Sequence, residues 1–343
     1  MFNFTCNICS AANTVESEDS LDRDSPVCPS CGSNVRFRWT IHAISLAVFG
    51  KSIPLNDFPE ARHITAIGLS DEPLYANALA NKLGYLNTFY HRDPQFDITD
   101  SACGESSSLD FIIATEVFEH IPPPIQPAFN NLARLLKPDG FVVFSTPWRP
   151  DGYTTEHFPG LYRWTLTKIG EEYVLVNKTR SGKYELFDEL VFHGGAGQTL
   201  EMRLFSRPSL EHHFLAAGLQ AEFPSEPCLK YGIIFNKPWS LPCILRKRVG
   251  EETSGPVREK TDGQEVLPEY EALKQARMEL AELYRKIDSQ TDHVQRLSKR
   301  NLALEREGEE LKRRIEELQQ KLSLIKDSKW LKLGRRFNFG PKL

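Results

Sequence analysis

Along residues 61–245, short apolar runs alternate with stretches of helical period, and this alternation predicts a parallel sheet with crossover helices. Residues 64–69 (ITAIGL) read as a first buried strand, 74–83 as an amphipathic helix and 85–90 as a second strand. Residues 109–115 (LDFIIAT) form a strand that ends in polar residues, 127–136 a helix, and 141–145 (FVVFS) a further strand. Ligands of such sheets lie outside the carboxyl ends of the strands, so the residues just after each strand are the site candidates. Upstream, residues 40–49 predict an amphipathic helix that docks the N-terminus on this body. Residues 173–178 and 183–187 flank Arg180-Ser181-Gly182 and predict a β-hairpin beyond the minimal sheet, either shaping an acceptor pocket or covering a sheet edge.

The pattern changes twice after the body. Residues 246–268 are polar, contain Gly and Pro and lack periodicity, which predicts a flexible linker. Residues 269–327 then carry eight heptads with thirteen of sixteen a and d positions apolar, the signature of a coiled coil. Leu at most d positions and Asn301 at an a position favour a parallel homodimer, because paired asparagines bond across the axis only in register. Gln290 and Gly308 in the core leave a heterodimer with a better-matched helix open. The tail, 328–343, is basic and amphipathic, with Trp330, Leu331 and Phe337; it could end the coil, touch an anionic membrane surface or meet a protein partner.

Composition narrows the function. Of 343 residues, 42 are Lys or Arg and 46 Asp or Glu, a net charge of −4 that argues against a nucleic-acid partner. The sequence shows no apolar run of membrane-spanning length and no secretory leader, so the expected location is cytoplasmic, with the seven cysteines reduced. Cys6, Cys9, Cys28 and Cys31 read C-x2-C-x18-C-x2-C, and two such turns aim four thiolates at one point, which predicts a structural zinc ribbon over residues 1–38 joined by a connecting helix, 39–60. The acidic spacer 16–24 (ESEDSLDRD) argues against this ribbon gripping phosphate.

The run LDFIIATEVFEHI at 109–121, followed by NLARLLKPDGFVVFSTP at 131–147, resembles class I S-adenosylmethionine-dependent methyltransferases. The CPxCG ribbon ahead of it, with EHFP at 156–159 and LEMRLFS at 200–206 after it, resembles bacterial methyltransferase-domain proteins often associated with surface-polysaccharide genes. The resemblance implies an α/β, Rossmann-like methyltransferase fold between the ribbon and the coiled coil. It also implies S-adenosylmethionine beside Gly68, Ser70 and Asp71 after the first strand, Asp97 and Ile98 near the adenine, and Glu116 and His120 after the fourth strand of the family.

The family loop after the first strand is acidic-x-Gly-x-Gly-x-Gly, whereas this chain keeps only Gly68, and Ser70 and Asp71 could instead cap the next helix. After the second strand, Phe89 and Tyr90 stand where an acid meets the ribose, with His91 and Asp93 as possible substitutes. His157 lies where the acceptor should sit and reads as its general base, oriented by the adjacent Glu156. His193 is a second substrate-side histidine, and Arg163, Trp164 and Arg203 could hold a sugar or an anionic group. The expected activity is methyl transfer to a saccharide-related or other small-molecule acceptor. The alternative is a non-catalytic scaffold that assembles a glycan-synthesis complex through its coil.

Overall fold

A thiolate pair on a tight turn needs the residue after the second cysteine in a left-handed conformation, and both pairs have it. Ser10 (φ 65°) follows Cys9 and Gly32 (φ 75°) follows Cys31, and each returns its N–H to the first cysteine's carbonyl, at 2.8 and 2.7 Å. The computed structural model describes residues 1–150, 152–248, 312–315 and 317–321. Strands β1 (Phe2–Thr5) and β2 (Ala12–Val15) flank the first turn as an antiparallel hairpin.

Helix α1 (Val35–Phe49) begins five residues before the expected start, because Asn34 caps it by accepting from the Phe37 N–H at 2.9 Å. The ribbon boundary expected at residue 38 therefore falls inside the helix. Fully buried Arg38 donates to the carbonyls of Ser33, Tyr231 and Gly232 at 2.9–3.0 Å, joining the ribbon to a loop nearly two hundred residues away. Ribbon residues Phe4, Ile8 and Leu21 share one apolar core with α1 and the sheet.

The body alternates β3 (Ala61–Leu69), α2 (Pro73–Lys82), β4 (Leu83–Thr88), β5 (Leu109–Thr115), α3 (Gln126–Leu135) and β6 (Leu136–Ser145). After β6 come short strands β7 (Trp148–Arg149) and β8 (Thr155–Glu156), then β9 (Arg163–Ile169), β10 (Glu172–Lys178) and β11 (Tyr184–Phe187). Strands β12 (Phe192–His193), β13 (Thr199–Leu200) and β14 (Arg203–Ser206), helix α4 (Arg207–Ala216), β15 (Leu219–Glu222) and β16 (Cys243–Lys247) complete the described body.

The main sheet has the order β15-β16-β6-β5-β3-β4. Strands β4, β3, β5 and β6 are parallel, as the alternation predicts, and the inner strands β3, β5 and β6 bury apolar runs such as Phe111 to Ala114, whereas edge strand β4 leaves Leu86 exposed. The sheet is nevertheless mixed, since β16 and β15 add on antiparallel. Arg246 and Lys247 belong to β16, so the segment expected as linker from 246 starts later than its composition suggests. The expected hairpin is present and gains a third strand, β9, with a small core of Phe158, Leu175, Leu200 and Met202 beneath it.

The chain divides into units 1–253 and 254–343. In the second, residues 312–315 and 317–321 are helical, and the rest of the expected coiled coil, most of the linker and the basic tail lie outside the described residues. Among the described residues no helix is long and apolar enough to cross a membrane.

Candidate functional site

The four ribbon thiols converge. Their sulfurs lie within 4.8 Å of one another, with Cys6 to Cys31 at 3.7 Å and Cys9 to Cys28 at 3.6 Å. A tetrahedron of about 2.3 Å metal–sulfur bonds needs edges of roughly 3.8 Å, so the donors fit a structural zinc closely. Burial raises the Cys28 thiol, but the backbone N–H groups of Cys31 and Ser30 outweigh it and bring its pKa down to about 7. The buried Arg38 guanidinium adds a positive field beside the thiolates.

At the carboxyl ends of β3 and β5 stand the residues expected to hold the methyl donor. Ser70 takes a left-handed conformation (φ 62°) where the family pattern has glycine, and its N–H donates to the Thr88 carbonyl at 2.8 Å. The side chain of Asp71 then turns back over Gly68, where it accepts from the hydroxyls of Tyr75 at 2.9 Å and Tyr85 at 2.6 Å. A Cβ on Gly68 would lie 2.0 Å from Asp71 Oδ2, so the glycine makes room for this carboxylate. Burial raises the Asp71 pKa to about 7, against the two hydroxyl bonds that lower it. Neither Ser70 nor Asp71 caps the next helix; its N-cap is Glu72, without a side-chain bond.

Glu116 occupies a sparsely populated left-handed conformation (φ 56°) at the end of β5, held by its N–H on the Ser145 carbonyl at 2.8 Å. Its Oε1 accepts from Ser145 Oγ at 2.7 Å and from Arg23 Nη2 of the ribbon at 2.5 Å. Asp97 Oδ1 is taken by the N–H and hydroxyl of Thr99, at 2.8 and 2.7 Å, and the carbonyl of Ile98 by Asn131 Nδ2 at 2.8 Å. His91 and Asp93 are exposed on the loop after β4.

A second polar group lies beside the turn after β5. Glu201 receives two imidazoles, His157 Nε2 at 2.8 Å on Oε1 and His193 Nε2 at 2.9 Å on Oε2. Burial raises the Glu201 pKa, but these two bonds outweigh it and bring it to about 2; the same bond raises His193. His120 packs edge-on against His193, centroids 4.7 Å apart, and donates Nδ1 to the Leu200 carbonyl at 2.9 Å. Glu119 is fully buried: its Oε2 accepts from Thr146 Oγ1 at 2.9 Å, whereas Oε1 has no hydrogen-bond partner. Burial, then the neighbouring Glu116 charge, raise the Glu119 pKa to about 8.

The stretch between β13 and β14 holds this group together through its backbone. Glu201 N–H meets the Val191 carbonyl, Met202 N–H the Glu119 carbonyl, and the His157 N–H the Met202 carbonyl, all at 2.8–2.9 Å. Glu156 does not orient His157. It pairs with Arg203 Nε at 2.7 Å, while Nη1 of this fully buried arginine donates to the carbonyls of Phe118 and Ile121. Arg203 is thereby a structural bolt rather than a surface contact for a sugar, whereas Arg163 and Trp164 are exposed on β9. Glu201 was missed in sequence because its only signal is its place in LEMRLFS.

Residues 58–222 match the family model described as "Methyltransferase domain". This part of the chain is similar to methyltransferase domains, and its fold is an α/β one built on a mixed central sheet. No curated protein matches the chain. Among solved structures it is similar to an S-adenosylmethionine-dependent methyltransferase from Clostridium acetobutylicum, at 10% identity and TM-score 0.34, over 62% of this chain and 99% of that one. It is also similar to CalS10, an amino pentose methyltransferase from Micromonospora echinaspora, at 15% identity and TM-score 0.34, over 61% of this chain and 89% of that one. The sugar N-methyltransferase KedS8 from Streptoalloteichus is similar at 12% identity and TM-score 0.35, over 69% and 94% of the two chains.

The residues at this edge do not fit the family's methyl donor as arranged. Ala66 stands at the acidic position of the loop pattern, the open face of Gly68 is filled by Asp71, and Glu116 is shared between Arg23 and Ser145.

Proposed function

We propose that this chain is a methyltransferase-fold scaffold, which uses its ribbon and coiled coil to hold an assembly together and does not bind the donor. The observation that carries the reading is the Asp71 carboxylate, buried against Gly68 and bonded to two tyrosine hydroxyls where a donor's methionine end would approach. The bridge from Arg23 to Glu116 supports it, because it closes the same edge with a side chain from the ribbon. In this reading the ribbon carries one structural zinc, the coil pairs two chains in parallel, and the basic tail meets a membrane surface or a protein of the assembly in the cytoplasm. The link to glycan synthesis rests on the motif resemblance alone.

A second reading is favoured by the imidazole–carboxylate–imidazole arrangement of His157, Glu201 and His193. It is methyl transfer to a saccharide-related acceptor, with His157 taking the acceptor proton and Glu201 orienting its ring. Calorimetric titration with S-adenosylmethionine separates the two. The scaffold reading expects no saturable heat and no rise in Tm for the full chain or for Arg23→Ala. Saturable heat in the full chain overturns it, and heat in Arg23→Ala alone would mean an enzyme gated by its ribbon.

A further inference from the structure

The unpartnered Oε1 of Glu119 is the feature that neither reading uses. A fully buried carboxylate oxygen without a donor is destabilising, and such atoms point to a missing ligand. It faces His120 Nε2 at 3.7 Å, and a ring nitrogen of His193 completes a set whose atoms all lie within 4.8 Å of one another. We propose that Glu119, His120 and His193 form a second metal site, distinct from the ribbon, for a divalent first-row transition ion.

The surroundings are those of ligands already oriented. His120 is fixed by donating Nδ1 to the Leu200 carbonyl, which leaves Nε2 with its lone pair toward Glu119. His193 is fixed by Glu201, a carboxylate–histidine pairing typical of the shell behind metal ligands. Two imidazoles and one carboxylate suit zinc, iron, cobalt or manganese better than magnesium or calcium, which prefer all-oxygen sets. Bonds of about 2.0–2.2 Å require the three donors to draw together to roughly 3–3.5 Å. His193 can supply most of that movement, since its side chain is 35% exposed and Gly194 and Gly195 follow it. The ion would give Glu119 Oε1 its missing partner, and three protein ligands would leave coordination positions open. The site does not depend on whether the methyl donor binds.

The test titrates cobalt(II) into the full-length chain with its four ribbon cysteines already loaded with zinc. The expected result is one further ion per chain, with visible ligand-field absorption and no thiolate charge-transfer band. Glu119→Gln and His193→Ala should abolish this uptake, and Glu201→Gln, which only loosens the support of His193, should weaken it about 10- to 100-fold. Absence of saturable uptake, uptake only with a thiolate band, or uptake unchanged in His193→Ala would overturn the site. His193→Ala decides the matter should Glu119→Gln fail to fold, because His193 is only half-buried.

Discussion

The two polar groups along the carboxyl edge of the sheet are built from similar residues and differ in how far they satisfy themselves. Around Gly68, each Asp71 carboxylate oxygen receives a tyrosine hydroxyl, and Oε1 of the nearby Glu116 receives an arginine and a serine. Around Glu201, two imidazoles share one carboxylate, yet neighbouring Glu119 keeps a bare oxygen deep in the protein. A buried polar set with every bond made stabilises the fold and has little left to offer a ligand. A set that leaves one oxygen bare has binding capacity in reserve. The family pattern would put the ligand at the first group; the bonding directs attention to the second.

That contrast can be broken most forcefully from the ribbon. Cys28→Ser removes one of four thiolates and should empty the zinc site, whose binding is worth on the order of 10 kcal/mol to such a small fold. The expected outcome is loss of zinc by metal analysis together with a large drop in Tm. Hydrogen exchange should rise first in residues 1–49 and around Glu116, which loses Arg23, while protection around Glu201 persists. Equal zinc content and Tm in the variant would contradict the metal reading of the ribbon.

Arg203→Ala should be the next largest. It strips Glu156 of its partner and removes the guanidinium donor from the Phe118 and Ile121 carbonyls, at a cost of about 3–5 kcal/mol. Because Arg203 braces the turn that carries Glu119 and His120, denaturant unfolding should show the loss and the second metal site should weaken with it. A change below about 1 kcal/mol would show that the Glu119 turn stands without its bolt.

The smallest effect sharpens the other side of the comparison. Asp71 has a folded pKa near 7, raised above the ordinary carboxyl value of 3.8. Between those values the folded chain holds a proton that the unfolded chain has released, so this residue's contribution to stability falls as pH rises from about 4 to about 7. Asp71→Asn should cost about 1 kcal/mol at low pH and flatten that part of the profile, as measured by Tm across the range. An unchanged slope in the variant would mean that Asp71 is ionised throughout and is held by more than its two tyrosines.

Much of the scaffold was legible. Residues 109–115 read as a strand and are one, because both faces are buried and the run is continuously apolar. The cysteine spacing encoded the convergence of four thiols, since each turn is local. The site was less legible wherever a partner comes from far along the chain. Glu156 looked like the partner of His157 by adjacency, but successive residues of an extended strand point to opposite faces, and the carboxylate that meets His157 is 44 residues later. Gly68 carried the expected small-residue signal for a different reason, as room for Asp71. Strand β9 is hard to read because its alternation is short: Trp164 and Leu166 stand two apart, but Lys168 breaks the pattern.

Arg38 also has a bearing on how the chain comes into being. Its guanidinium is buried only once the Tyr231 and Gly232 carbonyls are in place, and Gly232 packs so closely on Phe4 that an added Cβ would lie 2.7 Å from the ring. During synthesis the ribbon is made before the body, yet the contacts that seal it arrive some two hundred residues later. Zinc can gather the four thiols early, but the nascent ribbon must wait, with an arginine short of two of its three carbonyl partners and an uncovered phenylalanine, until almost the whole body has been made.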